Sequence, residues 1–136
     1  MSETVPLKRL ILRAVLRNVS PMVARIMSVS DDTELTDLHD VFQQVLGWSG
    51  QLGYSFRIHG QEFNSFRRRS RSKSLREFRL HRQEKFLYVY DLLETWEWEL
   101  RVMDIQQGVA EDREPLCLGG RGAAPRKVAV GPEVIG

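Results

Sequence analysis

The stretch Ser20 to Gly50, SPMVARIMSVSDDTELTDLHDVFQQVLGWSG, decides the fold. Within it, Leu35, Leu38, Phe42, Val45 and Leu46 recur at the spacing of one helical face, while Glu34, Asp37, Asp40, Gln43 and Gln44 take the other. The pattern predicts an amphipathic helix from Thr33 to Leu46, of about three to four turns. Thr33, or Asp31 with Glu34 three residues on, supplies an N-terminal cap, because either oxygen can accept from amides that have no partner in the first turn. Gly47 ends the helix, being free to turn left-handed, and Trp48 follows where it can fold back on the last turn. Ahead of the helix, Val23 to Val29 reads as a strand.

Working outward, Leu10, Leu12, Ala14 and Leu16 alternate with Arg9, Ile11, Arg13, Val15 and Arg17, so Leu7 to Arg17 is expected to be a strand with one apolar face. The other face carries three arginines and reads either as a solvated sheet face or as a basic stripe. Asn18 to Met22, with Pro21, makes a turn that returns Val23 to Val29 antiparallel to the first strand. His39, four residues after Leu35, falls beside the apolar helix face and reads as a packed histidine before it reads as a ligand.

Beyond the helix, Tyr54 to His59 alternates as a third strand ended by Gly60. Lys85 to Tyr90 and Trp96 to Ile105 form an expected hairpin, with Trp96, Trp98, Leu100 and Val102 turned toward a core. The tryptophans therefore read as core residues and not as a base-stacking platform. From Gln106 regular patterning fades, and six of the ten glycines lie there. Residues 107–136, including Gly119-Gly120-Arg121-Gly122, are read as loops and a tail. The sum is an α+β protein: a single compact domain, residues 1–136, with a mainly antiparallel sheet and one principal amphipathic helix packed on a face.

A chain of 136 residues with 42% hydrophobic content suits one modest core. It has no apolar run long enough to span a bilayer and no signal-peptide pattern, so a cytoplasmic location without a membrane partner is expected. The single cysteine, Cys117, excludes an internal disulfide and a thiolate cluster, and no adjacent residue activates it as a nucleophile.

Charge is the strongest functional signal. Arg67 to Lys85 holds nine basic residues against two acidic ones, a local balance of +7 inside a chain whose total is +2. The rest of the chain is therefore net acidic. Ser74 with Glu77 resembles a capping box opening a short turn over Leu75 to Leu80, which would set Arg76, Arg79 and Arg82 along one side. Arg67, Arg68, Arg69, Arg71, Lys73, Arg76, Arg79 and Arg82 are thus the candidate nucleic-acid-binding residues, reading phosphates and not bases. An acidic protein is the competing partner. No phosphate-cradling, dinucleotide, zinc-protease or serine-hydrolase motif is present, so no catalytic residue, metal ligand or cofactor is assigned.

Several blocks share one order: Arg25-Ile26, Thr33-Glu34-Leu35, Leu38-His39, Gly47-Trp48, Tyr88 to Trp98 (YVYDLLETWEW), Pro115 to Gly120 (PLCLGG) and Gly122 to Pro125 (GAAP). In this the chain resembles the plasmid Ri open-reading-frame-three-like family from about Leu7 to Pro125. The resemblance implies a compact α+β fold and a genetic setting on plasmids or as TnpR-like passengers of insertion elements. The chain departs from that family at Leu92, Leu93, Glu94 and Trp98, where an aromatic-glycine-aspartate turn and a histidine are usual. It departs again at Arg126 to Val130, where paired acidic residues and glycines are usual. Asp91 and Glu94 alone are too few carboxylates to dehydrate a divalent ion. The expected function is a non-enzymatic, sequence-independent nucleic-acid-binding accessory module. The alternatives are a protein-interaction or structural module, and a degenerate metal-dependent enzyme built on Asp91, Glu94 and His39.

Overall fold

The computed structural model describes residues 7–48, 52–66, 73–91, 95–107 and 114–123. Its elements are β1 (Lys8–Leu16), β2 (Ala24–Ser30), α1 (Leu35–Leu46), β3 (Tyr54–Ile58), β4 (Gln61–Asn64), a 3-10 turn (Leu75–Phe78), β5 (Lys85–Tyr90), β6 (Trp96–Gln107) and β7 (Leu116–Arg121). The strands form one sheet in the order β4-β3-β5-β6-β1-β2-β7, and all the pairings are antiparallel. Period-two alternation explains the register: Leu10 faces Val29 and Leu12 faces Met27 across β1–β2, while Leu12 faces Val102 across β1–β6. Every one of these residues is buried.

The chain leaves β2 near one edge, and α1 carries it across the sheet to β3, near the other edge. Leu35, Leu38, His39, Phe42, Gln43 and Leu46 form the buried stripe of α1. Gly47 ends the helix in the left-handed region at φ 71°, and Trp48 N–H reaches back to the Gln43 carbonyl at 2.9 Å. Trp48 is buried and stacks on Tyr90 with ring centroids 5.4 Å apart.

The start of the helix differs from expectation. Glu34, not Thr33 or Asp31, stands at the cap position, and its side chain makes no capping bond. The Leu35 amide donates instead to the Lys73 carbonyl at 2.8 Å, beside a two-residue bridge between Glu34 and Ser74. A remote backbone segment thus does the work of a cap. Gln43, placed on the polar face by pattern, is buried, while Val45 is only half-buried.

Arg9, expected on a solvated face, is also buried, because Ser28 and the Glu114 carbonyl take its guanidinium at 2.6 to 3.1 Å. His59 and Gly60, at φ 53° and 77°, make a tight hairpin into β4, a strand the alternation did not announce. The larger correction lies in the last segment. Residues 116–121 are not loop but strand β7, paired with β2 through Ala24↔Arg121 to Ser28↔Leu116. Their glycines allow close pairing: a Cβ on Gly120 would lie 2.9 Å from the Arg25 side chain, and one on Gly122, at φ 76°, would meet the Met22 carbonyl. No helix among the described residues is long and apolar enough to cross a membrane.

Leu38→Ala and Phe42→Ala, both at fully buried positions, are each expected to cost about 2–5 kcal/mol. Denaturant unfolding measures this, and an unchanged midpoint would mean that α1 does not carry the core. Gly122→Ala should instead release the end of β7, seen as faster amide exchange in β7 with the β5–β6 amides unchanged.

Candidate functional site

Of the basic residues picked out by charge, Arg67, Arg68, Arg69 and Arg71 lie outside the described residues. Lys73, Arg76, Arg79 and Arg82 lie within them, on the segment that runs from the helix start to β5. Ser74 and Glu77 form the expected capping box: the Glu77 carboxylate accepts from the Ser74 amide at 2.8 Å and from its hydroxyl at 3.2 Å. Leu75 and Leu80 are buried and pin the segment to the sheet.

The turn does not persist as a helix. It closes at Arg79, which is left-handed at φ 50°, and Gln83 turns again at φ 71°. Arg76, Arg79 and Arg82 therefore do not share one stripe. Arg76 donates to the Asp31 carboxylate at 3.0 Å, Arg82 to Asp104 at 3.0 Å and to the Ile105 carbonyl at 2.8 Å, and Lys73 lies 3.7 Å from Glu77. Asp31 is a hub, since its carboxylate also accepts from the Lys8 amide and its carbonyl from the Arg76 amide.

Arg79 makes no ion pair among the described residues. It lines, with Lys8 and His81, an open cleft of about 480 Å³ whose floor includes Leu75, Leu80 and Ile105 and whose wall is the Asp31–Arg76 pair. The cleft can take an anionic group with apolar matter attached.

The acids of this region are held ionised by what they bind. The Ser74 amide holds Glu77 below the usual carboxylate range, and Arg82 does the same for Asp104. Burial pushes Glu84 upward, but the His81 amide and His59 outweigh it and leave its value lowered.

A second cluster was missed by pattern reading. Under α1, Gln43 Nε2 donates to the Tyr88 hydroxyl at 2.8 Å, and that hydroxyl lies 2.7 Å from His39 Nδ1. One hydrogen, on the phenol or on the ring, joins the Tyr88 oxygen to His39 Nδ1. Tyr54 stacks on His39 with centroids 3.8 Å apart. Burial raises the Tyr88 phenol well above its ordinary value of 10.0. The available signal was the helical spacing that puts Gln43 four residues after His39 and eight after Leu35. This cluster is closed by packing and reads as a core network in which Tyr88 is satisfied, while the buried Tyr54 hydroxyl has no partner among the described residues. Among the described residues no three His, Cys, Asp or Glu side chains come together to hold a metal ion. Asp91 is buried in a turn, and Glu94 lies outside the described residues.

Among the described residues, one α-helix over a seven-stranded antiparallel sheet, with an ion-paired basic segment at one end, defines a mostly-sheet α+β protein. The chain belongs to the plasmid pRiA4b ORF-3-like protein family, whose model matches residues 8–132. The same fold is seen in the crystal structure of a protein of unknown function, MM3350, from Methanosarcina mazei Go1. The TM-score is 0.76 at 20% identity, over 89% of this chain and 73% of that one. No curated protein matches the chain.

Tyr88→Phe strips the hydroxyl from both His39 and Gln43 and is expected to cost about 1–3 kcal/mol in denaturant unfolding. Because the folded-state phenol value is raised, its contribution is complete below the unfolded value near 10.0 and is lost as pH climbs through the folded one. Ultraviolet titration should therefore find Tyr88 un-ionised until the protein unfolds in base. The carboxylates run the opposite way. Their folded values are lowered, so what they contribute is present above the unfolded range and lost as pH falls through the folded values. Protection factors of the Arg76 and Arg79 amides should fall in acid before those of the β-sheet amides do.

Proposed function

We propose that the protein is a non-enzymatic accessory module that binds nucleic acid without sequence preference, through the phosphate backbone. The observation that carries this reading is the cleft rimmed by Lys8 and Arg79, two exposed cations with no ion pair among the described residues, on a segment that follows the Arg67 to Lys73 basic run in sequence. Lysine and arginine at an open rim release counterions from a polyanion without disturbing a packed core. Among the described residues no element resembles a recognition helix, so the contacts position the duplex and leave the bases unread. Membership of a plasmid-associated family supports a setting in which such a module meets DNA. An insertion-element passenger role is the finer form of the same reading.

A second reading has its own observation. Asp31, Glu77 and Asp104 already neutralise Arg76, Lys73 and Arg82, so most of the described basic segment spends its charge inside the molecule. That matching favours a protein-interaction module which presents a shaped surface and not a positive field.

Fluorescence anisotropy with unrelated duplexes and a single strand, titrated with salt, separates the two. Submicromolar binding at low salt that falls steeply with salt is expected. Lys8→Ser with Arg79→Ser should weaken it equally on every sequence and flatten the logarithmic salt slope by up to about 0.9 per phosphate contact removed. Replacing Arg67, Arg68, Arg69, Arg71 and Lys73 by serine should weaken it further with the melting temperature held. Equal and negligible binding by parent and variants at low salt would hand the function to the interaction reading.

A further inference from the structure

The two edges of the sheet are built differently. The β4 edge is four residues long and carries the charged Glu62, which the Ser55 hydroxyl holds at 3.0 Å. Short length and charge are the usual protection of a sheet edge against pairing with another chain. The β7 edge is six residues long, and its one charged residue, Arg121, stands at its end. Leu116, Cys117, Leu118, Gly119 and Gly120 are uncharged in succession, and the sheet order ends at β7, so no described strand pairs with its outer side. Leu116 and Leu118 are 51% and 54% exposed.

We infer that the β7 edge is an isologous interface on which a second copy of this chain pairs its own β7, antiparallel, to continue the sheet. Three observations select a second copy over a foreign peptide. The first is charge: Glu114 lies just before the uncharged run and Arg121 at its end, both exposed. A two-fold axis between Cys117 and Leu118 brings Glu114 of each copy to Arg121 of the other, so the run is closed at both ends by opposite charges.

The second is shape. One residue bulges between Cys117 and Gly119, so Leu116 and Gly119 stand opposite Ser28 and Ile26 and share a face. The same axis sets each Leu116 against the partner's Gly119, where a Cβ would find open space within 4 Å. A large side chain thus meets an empty position twice. The third is hydrogen bonding: away from the bulge at Leu118 and from Pro115, which has no N–H, an antiparallel strand edge is complementary to itself about a two-fold axis.

A single strand pair buries less than the roughly 1,200–2,000 Å² of a standard interface, so a micromolar dimer weakened by salt is expected. Sedimentation velocity over a concentration series reads it. Glu114→Arg and Arg121→Glu should each raise the dimer dissociation constant about tenfold. The double exchange Glu114→Arg with Arg121→Glu should restore the parent value, and Leu116→Lys should abolish the dimer, each variant keeping the parent's circular dichroism and melting temperature. Restoration by the double exchange is the outcome that a merely sticky edge does not produce. A monomer at every concentration overturns the inference. So does a dimer indifferent to the charge exchange, and a monomer with slowly exchanging β7 amides would assign the edge to the chain's own 124–136 segment.

Discussion

One twelve-residue helix is asked to cover a seven-stranded sheet, and the rest of the structure follows from that mismatch. The helix is about 18 Å long, whereas seven strands spaced about 4.8 Å apart extend for about 29 Å. The layer between helix and sheet is filled by large side chains. Trp98, Tyr88, Tyr90, Phe42 and Phe56 are the largest fully buried residues, and Trp48 folds from the helix end onto Tyr90. A core made of tyrosines brings hydroxyls with it. An unpartnered buried hydroxyl is costly, so the helix places His39 and Gln43 among its apolar residues to meet Tyr88.

At the other end of the helix the covering is done by the segment Lys73 to Arg82. Leu75 and Leu80 supply the apolar contact, and Asp31 ties the start of β1, the end of β2 and the 3-10 turn into one joint. The arginines here act first as clamps. Formal charge counted along the chain overstates the positive field, since acids distant in sequence stand beside Arg76 and Arg82 in space. Among the described residues at this end, Lys8 and Arg79 at the rim of the cleft make no ion pair.

The β7 edge belongs to the same logic. Glycines at 120 and 122 let the strand lie close to β2 and Met22, which completes the sheet on that side. The uncharged run from Leu116 to Gly120 leaves most of the outer edge without the protection of charge. Close pairing inward and readiness to pair outward are two results of one composition.

The sequence by itself determined what short-range periodicity can determine: the α1 stripe from Leu35 to Leu46, its stop at Gly47, the alternating faces of β1, β5 and β6, the capping box at Ser74 and Glu77, and the α+β class. Each of these rests on neighbours within a few residues, which is why pattern reading reached them. Tertiary structure decided the rest. Only the pairing of β2 with residues 116–121 makes a strand of a glycine-rich segment that reads as loop, and only the reach of Asp31 and Asp104 across the fold turns a basic stripe into ion pairs. Gln43 became a core residue because Tyr88 stands opposite it, and the helix start was capped by the Lys73 carbonyl and not by its own Thr33. A side chain's partner across the sheet, unlike its partner one turn away, is fixed only when the chain has closed on itself.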